Sequence, residues 1–177
     1  PRLPALRTQL PETDISVTAL ELPPNLKRVP FDLCLFYARD IPERGLRLAD
    51  DEVLPVCAPQ LADTLDTVAD LRKATCLTDS AWADDWTDWA AAAMPGQDFV
   101  PRGPVFSLYA LAMEEALNGA GVLIARRALA ERHLASGALV APFDVKVPVA
   151  GAIVAWTLPG GPSGRAKDVA DALKDLA

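Results

Sequence analysis

Residues 103–125 read GPVFSLYALAMEEALNGAGVLIA, and this stretch predicts a strand, a helix and a second strand in succession. Val105-Phe106 is the first predicted strand, and Ser107 is the predicted N-cap of the helix that follows. The glycine-rich turn after that helix stops it. The apolar residues 122–125 are typical of a strand that is buried on both faces. This order of elements indicates an α/β fold.

Strands and helices alternate in the same way along the rest of the chain. The run 31–37 is almost continuously apolar, which predicts a strand buried on both faces of a parallel sheet. The other predicted strands are residues 15–20, 46–49, 52–57, 75–78, 139–140, 145–149 and 152–158. The other predicted helices lie near 3–10, 23–29, 60–65, 68–73, 126–135 and 164–176, and one more runs between a cap at Asp79-Ser80 and a stop at Pro95-Gly96. We therefore expect an α/β fold with a mainly parallel sheet.

The composition fits one domain, or two small lobes, with enough apolar material for a core. The 177 residues are 51% hydrophobic, and 17 basic against 24 acidic side chains give a net charge of −7. An acidic surface repels phosphate backbones, so this chain alone is a poor candidate for binding nucleic acid. No apolar run reaches the roughly eighteen residues that a membrane span needs. The chain begins with Pro1 and its methionines are Met94 and Met113, so we expect a processed chain or a piece of a longer one.

Residue types that carry out catalysis or bind metal are scarce in this sequence. The single histidine, His133, falls in a helix predicted to face solvent, and a catalytic histidine needs a nucleophile and an acid nearby. Cys34, Cys57 and Cys76 are widely spaced in apolar stretches, which predicts buried free thiols. One histidine and three scattered cysteines do not provide the clustered ligands of a zinc site. The sequence therefore predicts no catalytic residue, no metal and no cofactor.

Two glycine-rich segments are interpreted as turns rather than as phosphate-binding loops. Gly119-Ala120-Gly121 follows a helix and precedes a strand, which reverses the strand–loop–helix order of a dinucleotide site. Residues 160–165 do lie between a strand and a helix, but they lack the Gly-Lys-Ser/Thr ending of a P-loop.

A tryptophan stripe marks one predicted helix. Trp82, Trp86 and Trp89 are four and three residues apart, so they share one face of that helix. Such a stripe favours a place in the core, and an aromatic wall around a ligand is the alternative. Acidic residues take the other side of the helix and favour its amino end: Asp84, Asp85 and Asp88.

A series of short motifs follows in a definite order along the chain. They are Leu3-Pro4-Ala5-Leu6, the run 31–37, residues 52–59, Asp85-Trp86-Thr87-Asp88-Trp89, residues 103–107, residues 116–122 and residues 136–143. Together they resemble the effector-binding domain of LysR-type transcriptional regulators, in particular the branch that includes the glycine-cleavage-system activator. The resemblance covers nearly the whole chain.

The resemblance implies two Rossmann-like lobes with a hinge, like the type 2 periplasmic binding proteins. Lobe I would comprise residues 1–57 and 150–177, and lobe II would comprise residues 58–149. The DNA-binding domain of the family is absent from this chain, as is the first strand of lobe I, and both are expected to precede Pro1. The turn 21–24 departs from the polar, Ser/Thr-rich turn of the family, which puts the usual ligand contact there in doubt.

The family places its effector in the cleft between the lobes, and the crevice rule for open α/β sheets gives the same location. By the family's motif, Phe106 and Ser107 lie at the start of a lobe II helix and meet an effector carboxylate. An N-cap serine that acts as a cap alone is the simpler interpretation of Ser107. Tyr37 would offer its hydroxyl from lobe I, and Asn25 and Ser80 are further candidates.

The resemblance thus implies a cytoplasmic sensor that binds a small anion or amino-acid-like metabolite, as a homodimer or tetramer. DNA would be contacted only through a module outside this chain, and no membrane is involved. One alternative is a stand-alone solute-binding protein of the same fold, which a signal peptide before Pro1 would support. Another is an enzyme of the porphobilinogen-deaminase or prephenate-dehydratase kind, which needs a catalytic acid or a reactive thiol in its cleft.

Overall fold

The computed structural model describes residues 2–20, 22–42, 45–157 and 163–176. The chain divides into two compact units, which we call unit 1 (Pro1–Asp51 with Ala150–Ala177) and unit 2 (Glu52–Val149). Residues 52–57, assigned to lobe I in the sequence analysis, fall in unit 2, because the strand that they contain pairs with other strands of that unit.

The described residues form eight strands and six α-helices. The strands are β1 Cys34–Ala38, β2 Leu46–Ala49, β3 Glu52–Val56, β4 Cys76–Asp79, β5 Val105–Phe106, β6 Val122–Arg126, β7 Val147–Pro148 and β8 Ala152–Trp156. The helices are α1 Leu3–Gln9, α2 Pro59–Ala62, α3 Asp85–Ala93, α4 Tyr109–Leu117, α5 Arg127–Ala135 and α6 Ser163–Asp175, with 3₁₀ turns at Val68–Arg72 and Ser80–Trp82. None of the helices in these ranges is long and apolar enough to cross a membrane.

Unit 1 is built on a small antiparallel sheet. Strand β8 lies in the centre, and β1 and β2 pair with it from either side. The prediction that 31–37 enters a parallel sheet buried on both faces is therefore wrong, since β1 is antiparallel and most of it is partly exposed. Gly151 precedes β8 with a φ of +132°, and a Cβ there would lie 2.7 Å from the carbonyl oxygen of Ala38.

The predicted strand at residues 15–20 is also wrong. This segment forms no strand within the described residues, and Val17 is 69% exposed. Alternation of apolar side chains favours an extended backbone, but a strand also needs a neighbouring backbone with which to exchange hydrogen bonds.

Unit 2 contains a mixed five-stranded sheet in the order β5-β4-β6-β3-β7. Strands β5, β4 and β6 are parallel, whereas β3 is antiparallel to both β6 and β7. The α/β fold class is confirmed, but the expectation of a mainly parallel sheet is wrong. Strands β5 and β6, which precede and follow α4, run parallel to β4. Strand β3 pairs with the other side of β6 and is antiparallel to it.

Helices cover both faces of the unit 2 sheet, which explains the apolar strands. Alternate residues of β6 enter different clusters: Val122 and Ile124 pack with the tryptophans of α3, and Leu123 and Ala125 pack with α4 and α5. Trp86 and Trp89 are fully buried, and their indole N–H groups donate to the carbonyls of Leu77 and Val145. The core interpretation is therefore right for Trp86 and Trp89. Trp82 lies outside α3, in the 3₁₀ turn before it.

The close contact at Gly121 gives a test of this packing. A Cβ at Gly121 would lie 2.5 Å from the carbonyl oxygen of Thr75, which accepts the hydrogen bond from Val122 where β4 and β6 begin to pair. We expect Gly121→Ala to lower the free energy of unfolding by about 1–3 kcal/mol, since it forces the strands apart. Gly164→Ala is the control, because its added methyl meets no atom within 4 Å and should cause no loss. Equal thermal midpoints for the two variants would contradict the described packing.

Candidate functional site

The parallel strands β5, β4 and β6 end at the same edge of the unit 2 sheet. Phe106 is in register with Asp79, and Leu77 is in register with Leu123. The residues that leave the sheet there are Ser107 after β5, Ser80 after β4 and Arg126 at the end of β6. We call this group the carboxyl edge. It is the place where open α/β sheets bind ligands, because the loops there are positioned by a rigid sheet.

Ser107 precedes the start of α4 without capping it. Leu108 holds the N-cap position with an extended backbone, and its carbonyl accepts from the N–H groups of Leu111 and Ala112. The prediction that Ser107 is the N-cap is therefore wrong by one residue, because the chain turns into the helix one position later. The Ser107 side chain is exposed. Ser107 is two residues before the first residue of α4, and the N–H groups of a first helical turn have no partner within the helix.

The turn after β4 is ordered by Asp79. The Oδ1 atom of buried Asp79 accepts a hydrogen bond of 2.8 Å from the N–H of Ala81, as expected of the predicted Asp79-Ser80 cap. Ser80 is the first residue of the 3₁₀ turn and is exposed. The two serines of the carboxyl edge thus follow neighbouring parallel strands.

A buried ion pair underlies the carboxyl edge. Arg126 donates from Nε and a terminal nitrogen to the two carboxylate oxygens of Asp85, over 2.9 and 3.0 Å. Both residues are less than a tenth exposed. Burial raises the pKa of the Asp85 carboxyl, and the hydrogen bonds and charge of Arg126 oppose that rise. The expectation that Asp85 lies on the other side of the helix from the tryptophans is wrong, because Arg126 contacts both Asp85 and Trp82.

Trp82 lies directly on this ion pair. The guanidinium carbon of Arg126 is 4.1 Å from the centre of the Trp82 ring, a cation–π contact. The ring of Tyr109, the first residue of α4, meets Trp82 edge-on with centroids 5.3 Å apart. Trp82 stays partly exposed, unlike Trp86 and Trp89. Arg126, Asp85 and Tyr109 are not among the site residues predicted from the sequence.

Phe106, the remaining predicted residue of unit 2, is half-buried. Its side chain packs against the apolar cluster that contains Leu54 and Leu77. Since the ring faces the core, what Phe106 presents at the carboxyl edge is its main chain.

Tyr37 and Asn25, the predicted site residues of unit 1, lie on different segments. Tyr37 is near the end of β1, and its hydroxyl donates a hydrogen bond of 2.5 Å to Asp51. The exposed Asn25 lies in a turn, where its side-chain oxygen accepts from the N–H of Lys27.

A shallow depression of about 450 Å³ also lies in unit 1. It is lined by Arg7, Leu10, Pro11, Thr13, Asp14, Ile15 and Ser16, none of which is a predicted site residue. The lining residues belong to the end of α1, the turn after it and the extended segment that forms no strand, so no sheet holds their side chains in place. The carboxyl edge is therefore the better candidate site.

The three cysteines lack the environment of the reactive thiol that the enzyme alternative could use. Cys34, Cys57 and Cys76 are free and buried, and burial raises the pKa of each thiol, to about 11 for Cys57. His133 is half-buried in α5. Within the described ranges, no three His, Cys, Asp or Glu side chains are grouped so that they could hold a metal ion.

The structure also tests the two glycine segments. Gly119 follows α4 with a φ of +79°, the left-handed conformation that ends many helices, so its interpretation as a helix stop is confirmed. Of the predicted turn at 160–165, residues 160–162 lie outside the described residues, and Gly164 belongs to α6.

The comparison with protein families assigns the class. The model of the LysR substrate binding domain matches residues 1–177. The chain belongs to this family, which confirms the resemblance noted in the sequence.

Individual relatives and solved structures agree with this assignment. The chain is 37% identical over 152 residues to the HTH-type transcriptional regulator DsdC of Escherichia coli K12, and this match covers 77% of the chain and 47% of the relative. It is 32% identical over 151 residues to the glycine cleavage system transcriptional activator of the same organism, covering 81% and 48%. The chain spans about half the length of these relatives.

The fold is that of known effector domains. The effector domain of the transcriptional regulator AmpR of Pseudomonas aeruginosa matches with a TM-score of 0.82 and 24% identity, covering 99% of this chain and 86% of that one. The AmpR effector binding domain from Citrobacter freundii matches with a TM-score of 0.83 and 21% identity, covering 99% and 88%.

The buried ion pair gives a stability test. Asp85→Asn leaves the Arg126 guanidinium buried without its counter-charge, so we expect the free energy of unfolding to fall by about 3–5 kcal/mol. The control is Arg127→Gln, which breaks the exposed 2.9 Å pair with Glu52 and should cost less than about 1 kcal/mol. Denaturant unfolding measures both, and similar small losses would show that the Asp85–Arg126 pair does not stabilise the fold.

The thiols give a second test. Since all three are buried and protonated at pH 8, we expect slow reaction with a thiol reagent in native buffer and full reaction after unfolding in guanidinium. A thiol that reacts in the native protein as fast as in the unfolded chain would contradict this and favour the enzyme alternative.

Proposed function

We propose that this chain is the effector-sensing part of a DNA-binding transcriptional regulator, and that its chemistry is reversible binding of a small metabolite. The observation that carries the proposal is the carboxyl edge, where Ser80 and Ser107 follow neighbouring parallel strands beside the start of α4. Family membership supports it, because the relatives that match are named as transcriptional regulators.

The donors at the carboxyl edge suit an acid group. Two exposed serine hydroxyls can donate hydrogen bonds, and the amino end of α4 favours negative charge. The acidic side chains nearby are already engaged, Asp79 by the Ala81 N–H and Asp85 by Arg126. We therefore propose a small anion or an amino-acid-like metabolite as effector, with its carboxylate at Ser107 and the main chain of Phe106.

The contributions of Tyr37 and Asn25 stay predictions. The Tyr37 hydroxyl donates a hydrogen bond to Asp51 and keeps lone pairs that can accept a hydrogen bond from an effector. Lobe I and lobe II of the family would correspond to unit 1 and unit 2.

The rest of the regulator is proposed from the relatives. Because the chain spans about half of their length, we propose that DNA is contacted by a part of the protein outside these residues. The net charge of −7 agrees with this division, since it disfavours direct contact with DNA. We propose a cytoplasmic homo-oligomer in which the effector shifts a conformational equilibrium through different affinities for two states.

Effector binding can be tested by melting. Small carboxylic acids and amino acids are titrated into the 177-residue chain, and an effector at 100 times its Kd should add about 2.7 kcal/mol of stability. Ser107→Ala should weaken that binding about tenfold, because a hydrogen bond to a charged group is lost. Tyr37→Phe should weaken it as well.

The matched control is Ser136→Ala, which removes an exposed hydroxyl that bonds to the His133 carbonyl at the end of α5. We expect it to leave the affinity unchanged. If Ser107→Ala and Tyr37→Phe also leave the affinity of a confirmed effector unchanged, the site assignment is wrong.

A further inference from the structure

We propose that Trp82 determines the specificity of the carboxyl edge, and that the effector carries a flat aromatic group next to its acid group. This inference rests on the proposed function and names the class of molecule that the same site takes. It comes from the position of Trp82 beside the carboxyl edge.

The three tryptophans of the helix motif have different positions in the fold. Trp86 and Trp89 are fully buried, and each indole N–H has a backbone acceptor in the core of unit 2. Trp82 ends the 3₁₀ turn that begins at Ser80, and it remains partly exposed. A large, partly exposed aromatic side chain next to a binding site can provide contact area to a ligand.

The ring of Trp82 is held in a fixed orientation. Arg126 lies over its face at 4.1 Å, and the edge contact with Tyr109 fixes it from the side of α4. Arg126 itself cannot move to an incoming acid without leaving Asp85, which binds it through two hydrogen bonds. Arg126 and Tyr109 are therefore positioning residues, and the indole is the surface that a ligand would meet.

The geometry of the edge separates the two parts of the proposed ligand. Ser107 follows β5, and Trp82 lies three residues beyond Asp79, the position of β4 that pairs with Phe106. Tyr109 is two residues after Ser107 and contacts the ring of Trp82, so the substituent of an acid held at Ser107 would extend toward the indole. Rings stack on or meet an indole in offset or edge-to-face contact, whereas a methyl group covers little of it. The site should therefore prefer aromatic acids to short aliphatic ones.

The test uses two matched pairs of probes: phenylacetate with acetate, and phenylalanine with alanine. Affinities for the 177-residue chain are measured by calorimetry and by tryptophan fluorescence. We expect the aromatic member of at least one pair to bind about tenfold or more tightly than its short partner. Trp82→Ala should remove most of that ratio, and Trp82→Phe should keep part of it.

Further variants separate specificity from folding. Trp156→Phe, in unit 1, is the matched tryptophan control and should leave the ratio unchanged. Tyr109→Leu should lower the ratio through the orientation of Trp82, while a loss of stability alone would weaken both probes of a pair equally. The thermal midpoint of each variant is measured to confirm that it is folded.

The outcomes distinguish this inference from the proposed function. If acids bind and Ser107→Ala weakens them, but the aromatic and short members bind equally or Trp82→Ala leaves the ratio intact, the role of Trp82 is wrong and the proposed function stands. If none of the acids binds the folded chain, both fail for this class of ligand. Loss of the aromatic preference in Trp82→Ala, with the short acids unaffected, supports the inference.

Discussion

The ion pair between Arg126 and Asp85 is the interaction on which the candidate site depends. It ties the last residue of β6 to the first residue of α3 and lies beneath the ring of Trp82. Two charges taken out of water are tolerated only when they satisfy each other, so removal of either leaves the other in an apolar surrounding. The pair thus holds the end of β6 against α3, and the register of β5, β4 and β6 sets the relative positions of the residues that follow these strands.

This arrangement explains why a sensing domain needs few chemically distinctive residues. A rigid sheet presents hydroxyls and helix N–H groups at one edge, and an aromatic ring defines the space beside them. Nucleophiles, metal ligands and reactive thiols are not required for binding, and the three cysteines are instead used as small apolar residues of the interior. The few polar groups at the edge are therefore the informative ones.

Much of the fold could be predicted from the sequence because its signals are local. The apolar runs of β3 and β6, the helix stop at Gly119 and the burial of Trp86 and Trp89 follow from patterns within a few residues. The predictions that are wrong concern which strands pair with each other, and in which direction. Residues 15–20 alternate like a strand, but alternation does not supply a neighbouring backbone. The apolar sequence of β1 likewise does not show that its partner β8 is antiparallel to it.

Only part of the candidate site could be predicted from the sequence, because some of its residues meet only through the pairing of distant strands and helices. The motif around Ser107 lies within one strand–helix junction, whereas Asp85 and Arg126 are 41 residues apart and meet only in the folded sheet. One signal was available: alternation from Val122 and Ile124 places Arg126 on the face that the tryptophan helix covers. The central claim, that acids bind at the carboxyl edge, is tested most directly by ¹H–¹⁵N NMR during a phenylacetate titration. We expect the amide shifts to concentrate at Ser80, Ser107 and residues 108–110, whereas shifts confined to residues 7–16 or to α5 would contradict binding at the carboxyl edge.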